Sequence, residues 1–190
     1  MGKIVSNFFI SLDGVVESPD QWHFPYFNDE MGAVIGEGMA GCTAWLMGRV
    51  LYDEWSAYWP AQARTEPEQA QDTADDFGRF INDIPKYVVS NSLGDATWNN
   101  TTVISGDVAR QLKELKGRTD GNIGMSGSAT LVRWLLANGL LDELNLLLHP
   151  IAVGHGRRLF EDTPTHRLQL VRHAALTTGV LSLSYAPAAG

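Results

Sequence analysis

Short apolar runs alternate with amphipathic stretches along the chain up to residue 150. Runs of β-branched, aromatic and leucine residues, each bounded by glycine, proline or polar residues, predict buried strands. Segments whose apolar residues lie three and four positions apart predict helices between them. The strands are predicted at 3–10, 43–47, 87–90, 101–104, 123–125, 144–149, 168–175 and 180–186, and the helices at 28–39, 50–58, 108–116 and between Ser128 and Gly139.

The order of these elements predicts the fold class. Strands that alternate with helices form parallel sheets, whereas the last two strands are separated only by a predicted hairpin turn at 177–179. We therefore expect an α/β protein with a central, mostly parallel sheet flanked by helices and with an antiparallel C-terminal edge. The 190 residues are expected to form a single domain, 1–190.

The stretch 122–139 reads as strand, glycine turn and helix. Gly127 breaks the apolar run, Ser128 is predicted to cap the following helix, and Gly139 is predicted to end it. A helix N-terminus at the end of a strand offers free N–H groups and a positive dipole end, which suit a phosphate. The hypothesis is a nucleotide cofactor at this turn; the alternative is a glycine turn that is merely tight.

Two more predicted strands end in ligand-type turns. Gly48 and Arg49 precede a helix, and Ser90 and Asn91 follow a strand, where open α/β sheets bind their ligands. An arginine at a helix N-terminus is unfavourable for the helix dipole unless an anion lies between them. The alternative is a surface arginine paired with a carboxylate of the next turn, at 53 or 54.

The first predicted strand ends in the turn pair Asp13 and Gly14, followed by an irregular segment, 15–25, that contains Trp22 and Phe24. Two interpretations of this segment stay open: a lid over a ligand, or a loop fixed to the core by its aromatic rings. The acidic segment 60–83 is expected to be a solvated loop that becomes a short helix, docked by Phe77, Phe80 and Ile81.

Composition excludes several classes of protein. The net charge of −8 and the pI of about 5.0 argue against nucleic acid or an anionic membrane as the main partner. No apolar run is long enough for a membrane span, and the N-terminus lacks the pattern of a signal peptide. The single cysteine, Cys42, cannot form an internal disulfide and is expected to be buried. We expect a cytoplasmic protein.

The usual catalytic and metal-binding motifs do not occur. The five histidines show neither metal-ligand spacing nor a cysteine partner, so no metal is expected, and His149 is expected to be structural. No nucleophile elbow or Walker motif is present. The Gly-His-Gly run at 154–156 is not followed by a predicted helix and is therefore not a dinucleotide-binding fingerprint.

A series of short motifs carries a resemblance to one family. They are Ser-Leu-Asp-Gly at 11–14, Met-Gly-Arg at 47–49, Lys-Tyr-Val-Val-Ser at 86–90, Ser-Gly-Ser at 126–128, Gly-Leu-Leu-Asp-Glu at 139–143 and Gly-His-Gly-Arg-Arg-Leu-Phe at 154–160. In this order, over residues 3 to about 186, the chain resembles bacterial dihydrofolate reductase-like proteins related to the reductase domain of the riboflavin-pathway deaminase/reductase.

The resemblance implies a dihydrofolate reductase-like fold, a homodimer and NADPH as hydride donor. It also implies two groups of contacts. The cofactor residues would be Gly48 and Arg49 at the phosphates, Ser90 and Asn91 at the adenosine, and Gly127, Ser128, Ala129 and Thr130 at the diphosphate; the substrate side would be lined by Asn7, Phe9, Asp13, Trp22 and Phe24.

The chain also departs from the relatives it resembles. Dihydrofolate reductases hold the pterin with a helix carboxylate, and here Asp29 or Glu30 lies near that place without the same local spacing. The zinc motifs of the accompanying deaminase domain are missing. Both folate reduction and the complete riboflavin-pathway function are therefore in doubt.

The function expected from the resemblance is NADPH-dependent reduction of a small heterocyclic substrate of the pterin, pyrimidine or imine type. Asp13 is the first candidate for a catalytic residue that orients substrate or relays a proton; the alternative is that Asp13 only stabilises its turn. The alternative function is a protein of the same fold that binds a nucleotide or a flavin-like ligand without reducing it.

Overall fold

The computed structural model describes residues 1–62 and 73–188. Strands and helices mostly alternate up to residue 149, except that α2 and α3 follow one another and no helix separates β3 from β4, and two strands follow. The strands are β1 (Ile4–Ser11), β2 (Cys42–Gly48), β3 (Lys86–Val89), β4 (Thr101–Ile104), β5 (Asn122–Ser126), β6 (Glu143–His149), β7 (Leu168–Ala175) and β8 (Leu181–Pro187), and the helices are α1 (Asp29–Ala40), α2 (Arg49–Gln62), α3 (Thr73–Asp83), α4 (Val108–Arg118) and α5 (Ala129–Ala137).

The strands form one mixed sheet of eight strands in the order β4-β3-β2-β5-β1-β6-β8-β7. All pairs among the first six strands in this order are parallel, and β8 is antiparallel to both β6 and β7. The predicted mostly parallel sheet with an antiparallel C-terminal edge is therefore confirmed. Its parallel part is a consequence of the crossover helices, because a chain can return to the same end of a sheet only by crossing one face.

The helices cover both faces of the sheet. Apolar side chains of α4 and α5, such as Leu112 and Leu135, pack with Ile4, Phe8 and Leu46 on one face. On the other face, α2 and α3 pack over Trp45 and Met47 of β2, while α1 packs through Met31 beside Phe9 and Leu147. Alternate residues of one strand thus face different helices, as the two-residue period of a strand requires.

Several predicted helix boundaries are confirmed by the hydrogen bonds that cap them. The side chain of Asn28 accepts a hydrogen bond from the N–H of Met31 and begins α1, and Asp107 accepts one from the N–H of Arg110 and begins α4. The helix predicted to end at Tyr58 instead continues as α2 to Gln62 with Pro60 inside its last turn. A proline there removes only one backbone hydrogen bond near the end of the helix.

The acidic segment 60–83 contains α3, whose Phe77, Phe80 and Ile81 dock against the cluster around Trp45 as expected. The predicted solvated loop at its start, with Glu66, Glu68 and Asp72, lies outside the described residues. Cys42 is buried, and its thiol donates to the carbonyl oxygen of Gly38. Burial raises the pKa of this thiol to about 11, so Cys42 is a small core residue and not a nucleophile.

Candidate functional site

The carboxyl ends of β2 and β5 lie side by side, and the helices that follow them leave in opposite directions. Helix α2 covers one face of the sheet and α5 covers the other. This is the topological switch point of an open α/β sheet, where the strand ends leave a crevice. The β2–β5 register, Trp45 beside Gly124, continues to place Gly48 beside Gly127. The two predicted glycine turns are therefore neighbours.

A hydrogen bond joins the two turns. Ser128 has a left-handed backbone with φ of 59°, and its Oγ accepts the N–H of Gly48 at 3.0 Å. The predicted role of Ser128 as side-chain cap of α5 is wrong, because its hydroxyl makes no cap bond to its own helix. The hydroxyl is directed across to α2 instead, since a left-handed residue at this position turns its side chain away from the first helical amides.

Both glycines are needed by the geometry of this junction. A Cβ atom on Gly48 would lie 2.8 Å from the Ser128 Oγ, which is too close for real atoms. Gly127 has φ of +75°, a backbone conformation that favours glycine. Ala129 is buried and Thr130 exposed in the first turn of α5, which has no side-chain cap. The junction brings two helix N-termini together, and each offers amide hydrogens to an anion.

Arg49 begins α2 and pairs with the following turn. Its Nε lies 2.8 and 2.7 Å from the two carboxylate oxygens of Asp53. This is the alternative of a surface ion pair that the sequence left open. The Arg49 side chain is 38% exposed to solvent, and the Asp53 side chain is 51% exposed. Such a pair is weak, so the guanidinium is available to a stronger anion at the junction.

The third strand-end turn is held by its own polar side chains. The Ser90 hydroxyl accepts the N–H groups of Ser92 and Leu93, and the Asn91 Oδ1 accepts the N–H of Gly106. Ser90 is buried and Asn91 is exposed. Because β3 lies beside β2, this turn extends the same edge of the sheet away from β5. All eight residues predicted at the cofactor therefore lie along three adjacent strand ends.

The substrate side was predicted on β1 and the segment after it. Asn7 lies beside Ser126 of β5 and Asn145 of β6, and the Asn145 amide donates to the Asn7 Oδ1 at 3.1 Å. The Asn7 amide in turn reaches the Met125 carbonyl at 3.4 Å. A Cβ added at Gly38 would be 3.8 Å from the Asn7 Oδ1. The amides thus form a polar strip on the sheet beside α1.

An aromatic cage lies at the carboxyl ends of β1 and β6, on the same face as Asn7. Its members are Phe9, Trp22, His23, Tyr26 and His149. The His23 ring stacks on Phe9 with ring centroids 4.5 Å apart, and the Trp22 ring meets His149 edge-on at 5.3 Å. Phe24 lies outside the cage against His23, and 62% of Phe24 is exposed. The segment 15–25 thus packs on the sheet through rings, including Trp22 as predicted.

Neither histidine of the cage, His23 or His149, was predicted as a site residue. Both are buried in the structure. The His149 Nδ1 lies 2.8 Å from the Leu147 carbonyl oxygen, and within residues 1–62 and 73–188 neither the His149 Nε2 nor the His23 Nδ1 has a hydrogen-bond partner. Burial lowers the pKa of the His149 imidazole. Hydrogen bonds to the carbonyls of Leu147 and Ile10 act in the opposite direction and offset part of this shift. Burial, with the nearby His149, also lowers the pKa of His23. A histidine at the end of an apolar strand was the only sequence signal for this pair.

Asp13 connects its turn to the loop after β6. Its carboxylate accepts hydrogen bonds from the Ser11 hydroxyl at 2.7 Å and from the N–H groups of Val153 at 3.0 Å and Gly154 at 2.8 Å. These hydrogen bonds, the Ser11 hydroxyl first, lower the pKa of Asp13 to about 2. The Arg158 guanidinium lies 3.6 Å away. This is the turn role that the sequence left open, and it keeps the carboxyl group ionised.

The two carboxylates at the start of α1 behave differently. Glu30 accepts hydrogen bonds from both the N–H and the hydroxyl of Thr177 at 2.8 Å, which fixes the β7–β8 turn to α1. The backbone N–H of Thr177 is the first cause that lowers the pKa of Glu30. Asp29 is exposed. Of these two carboxylates, Glu30 is the one that is hydrogen-bonded to the β7–β8 turn.

Two findings concern metals and membranes. Within residues 1–62 and 73–188, no three side chains of the His, Cys, Asp and Glu types are grouped closely enough to hold a metal ion. None of the helices in these two ranges is both long and apolar enough to cross a membrane.

The comparisons with known proteins agree on one family. The sequence model of the RibD C-terminal domain matches residues 2–182. The chain is 25% identical over 191 residues to YyaP of Bacillus subtilis (strain 168), a protein described as uncharacterized; the match covers 96% of this chain and 94% of YyaP.

Solved structures share the fold at low sequence identity. A crystal structure from Shewanella sp. PV-4, provisionally named a riboflavin biosynthesis protein, superposes with a TM-score of 0.75 at 16% identity and full coverage of both chains. Dihydrofolate reductase from Enterococcus faecalis, in complex with NADP(H) and RAB-propyl, superposes with a TM-score of 0.61 at 11% identity over 98% of this chain and 96% of that one. The predicted dihydrofolate reductase-like fold is confirmed.

Proposed function

The chain belongs to the RibD C-terminal domain family, and from that premise we propose that it is an NADPH-dependent reductase. Its substrate is a small heterocycle of the pterin, pyrimidine or imine type. The observation that carries the proposal is the junction of two helix N-termini at the switch point, fixed by the 3.0 Å hydrogen bond between Gly48 and Ser128. Solved relatives of this fold include an NADP(H) complex.

The residues at the junction fit a dinucleotide. Gly127, Ser128, Ala129 and Thr130 supply the N-terminal amides of α5 to the diphosphate, and Arg49 supplies the first amide of α2 together with a cation. Gly48 forms the turn before Arg49 at the phosphates, and its own N–H stays bonded to the Ser128 Oγ. Ser90 and Asn91 lie farther along the same edge, on the adenosine side. When bound, NADPH would supply the hydride, and the chain's own residues bind and orient the two reactants.

The substrate lies between the junction and α1. Strand β5 ends at Ser126, so the next residues of β1, including Phe9, present an open edge toward the junction. Asn7 and the cage residues Phe9 and Trp22 line this side, with Phe24 and Asp29 at its rim. Asp13 accepts hydrogen bonds from the loop after β6 and fixes its position. This loop supports the segment that carries Trp22. We assign Asp13 a positioning role, because its ionised carboxylate has no proton to give.

An absorbance assay tests the reaction. The protein is incubated with NADPH and a panel of pterins, pyrimidines and flavins, and the loss of NADPH absorbance is followed. We expect oxidation with at least one heterocycle above the rate without it. Saturable binding of NADPH and a heterocycle with no oxidation would favour the non-catalytic, ligand-binding alternative.

The phosphate role of Arg49 is tested by Arg49→Ala. We expect the Kd for NADPH to rise roughly tenfold or more, since a charge-assisted contact to a phosphate is lost. Arg110→Ala is the matched control, because Arg110 also lies in the first turn of a helix and pairs with Glu114 four residues on. An Arg49→Ala protein that binds NADPH as tightly as the Arg110→Ala protein would refute the role.

We also propose that the protein is a homodimer. Strand β7 is an edge strand whose residues from 169 to 175 are all exposed. Leu170 and Leu181 lie on the same face of the β7–β8 hairpin and are 45% and 39% exposed. Apolar side chains in a row on an unpaired edge favour association, and a second copy of the same edge would cover them.

A further inference from the structure

The aromatic cage contains a hydrogen-bond acceptor that has no partner. The Leu147 carbonyl oxygen can only accept, so the His149 Nδ1, 2.8 Å away, carries the proton. In the neutral imidazole the Nε2 is then a bare lone pair. This atom is buried without a partner in a residue that is fully inaccessible to solvent. A buried acceptor without a donor is unfavourable, and such groups in native structures call for an explanation.

Among the described residues, the surroundings of His149 do not supply the missing donor, since the backbone carbonyls of Leu147 and Ile10 that face its ring can only accept. Its neighbours in the cage are the rings of Phe9, Trp22, His23 and Tyr26. The titratable groups that face His149 are His23 and Tyr26, and Asp20 acts on His23. The nearest ring that carries a nitrogen donor, Trp22, gives its Nε1 hydrogen to the Glu17 carbonyl instead.

Trp22 belongs both to the cage and to the lining of a neighbouring cavity. This cavity of about 200 Å³ is lined also by Glu17, Gln21, Val153 and Gly156. The Trp22 and His149 rings meet edge-on, with ring centroids 5.3 Å apart. Movement of the Trp22 ring would therefore open the cage beside His149.

The segment that carries Trp22 is attached to the rest of the protein mainly by its rings. Among the hydrogen bonds of the described residues, the backbone N–H groups of 21, 22, 23, 26 and 27 all donate to carbonyls of residues 18–24. A unit that satisfies its own backbone can shift without leaving buried N–H groups unpaired. The cage can therefore exchange a protein ring for a ligand ring.

We propose that His149 is a substrate-binding residue whose Nε2 accepts a hydrogen bond from a ring N–H of a planar heterocycle held in the aromatic cage. The assignment rests on the proposed reductase function. It names the feature of the substrate, a ring N–H, that His149 recognises. Heterocycles that carry a ring N–H bind, and analogues alkylated at that nitrogen are rejected, because a buried acceptor then stays unpaired. His23 stacks on Phe9 and forms one wall of the same site.

Protonation of His149 reverses this preference. The imidazolium carries a hydrogen on Nε2 and repels an N–H donor. The affinity for an N–H heterocycle therefore falls as the pH is lowered through the titration of His149, whereas the affinity for its N-alkylated analogue does not.

Lumazine, a planar heterocycle with two ring N–H groups, and 1,3-dimethyllumazine, which has none, are a matched pair of probes. Each is titrated calorimetrically into the wild-type protein, His149→Phe and the control His166→Phe, whose histidine contacts Thr163 outside the cage and the β7–β8 hairpin. We expect lumazine to bind about tenfold more tightly than its dimethyl analogue to the wild type and the control. The preference disappears in His149→Phe, and in the wild type it is lost as the pH falls through the titration of His149.

Nitrogen NMR of the ¹⁵N-histidine-labelled wild type gives a readout without any substitution. We expect the His149 Nε2 signal to move on addition of lumazine and to stay in place with the dimethyl analogue. Equal affinity for the two probes, no binding of lumazine, or lumazine binding that leaves the Nε2 signal unmoved would each overturn the assignment. NADPH binding without oxidation of any heterocycle, together with an intact lumazine preference, would reject the reductase function and leave the His149 site standing.

Discussion

The carboxylate of Asp13 accepts one hydroxyl and two backbone N–H groups, and the two amides come from residues 140 and 141 positions away in sequence. The sequence identified Asp13 through the turn pair Asp-Gly, which is compatible with both a turn and a catalytic group. The partners favour the turn role, because these hydrogen bonds hold the pKa of the carboxyl group at about 2 and keep it charged at neutral pH. At the residue scale, chemistry follows from contacts that are distant in sequence.

Asp13→Asn tests this positioning role. The folded pKa of Asp13 lies below its ordinary value of 3.8, so its contribution to stability is complete above about pH 4 and is lost as the pH falls toward 2. We expect the variant to have a lower Tm at neutral pH and a shallower loss of stability between about pH 4 and pH 2. Thermal unfolding at several pH values measures both.

NADPH affinity is the control for Asp13→Asn, and it should remain within about twofold of the wild type, since Asp13 does not touch the junction. A variant with unchanged acid stability but abolished turnover would contradict the positioning role and restore the catalytic one.

At the scale of elements, the junction between α2 and α5 depends on a contact between two turns 80 residues apart. The sequence located both turns by their glycines, but it placed the Ser128 hydroxyl on the wrong helix. The backbone of Ser128 is left-handed, a conformation that no local pattern predicts for serine. The strand order brings Gly48 to the hydroxyl, and the two helix N-termini are then held at a fixed separation.

Gly48→Ala tests the junction. The added Cβ would lie 2.8 Å from the Ser128 Oγ and 3.4 Å from its Cβ, so the turn must shift. We expect a loss of roughly 1–3 kcal/mol in the free energy of unfolding, as for other overpacked sites. The Kd for NADPH should rise as well, because the two helix ends move apart. Urea denaturation and a fluorescence titration measure the two effects.

Gly117→Ala is the control, because a Cβ there meets nothing within 4 Å and the residue lies in α4; it should be neutral or stabilising. Ser128→Ala in the Gly48→Ala background should recover part of the stability by removing the clashing oxygen. If Gly48→Ala alone kept the free energy of unfolding of the wild type, the close packing of Gly48 against Ser128 would be contradicted.

At the scale of the whole molecule, the sheet ends in an edge, β7, that no other strand of the described residues pairs with on its outer side. Leu170 and Leu181 share a face of the β7–β8 hairpin, and Arg172 reaches Glu143 of β6 at 2.7 Å. The turn between the last two apolar runs predicted a hairpin. It did not predict which face of that hairpin would be left without a helix among the described residues. The sheet order decides that, because β7 is the outermost strand.

The dimer proposal is tested at this scale by Leu170→Lys. We expect light scattering coupled to gel filtration to give twice the chain mass of 20.8 kDa for the wild type and a monomer for the variant. Gln169→Lys, one residue away and pointing to the other face, should remain dimeric. A monomeric wild type at micromolar concentration would contradict the proposal.

The sequence by itself determined the elements, their order and the class of the fold. Strand and helix periods, the caps at Asn28 and Asp107 and the glycine turns are local signals, and local backbone physics is enough to produce them. The same signals placed the residues proposed at the cofactor on three strand ends, because parallel strands bring their carboxyl ends to one edge.

Only the tertiary structure decided which polar groups meet. It buried Lys86, whose ammonium donates to the carbonyls of Ile81, Asn82 and Ile84 at the end of α3, and it enclosed His149 in rings from a different part of the chain. Partners separated by tens of residues are selected by strand order and packing, which no local pattern contains. The glycine turns proposed to hold phosphate could thus be located from the sequence, whereas the acceptor proposed for the substrate could not.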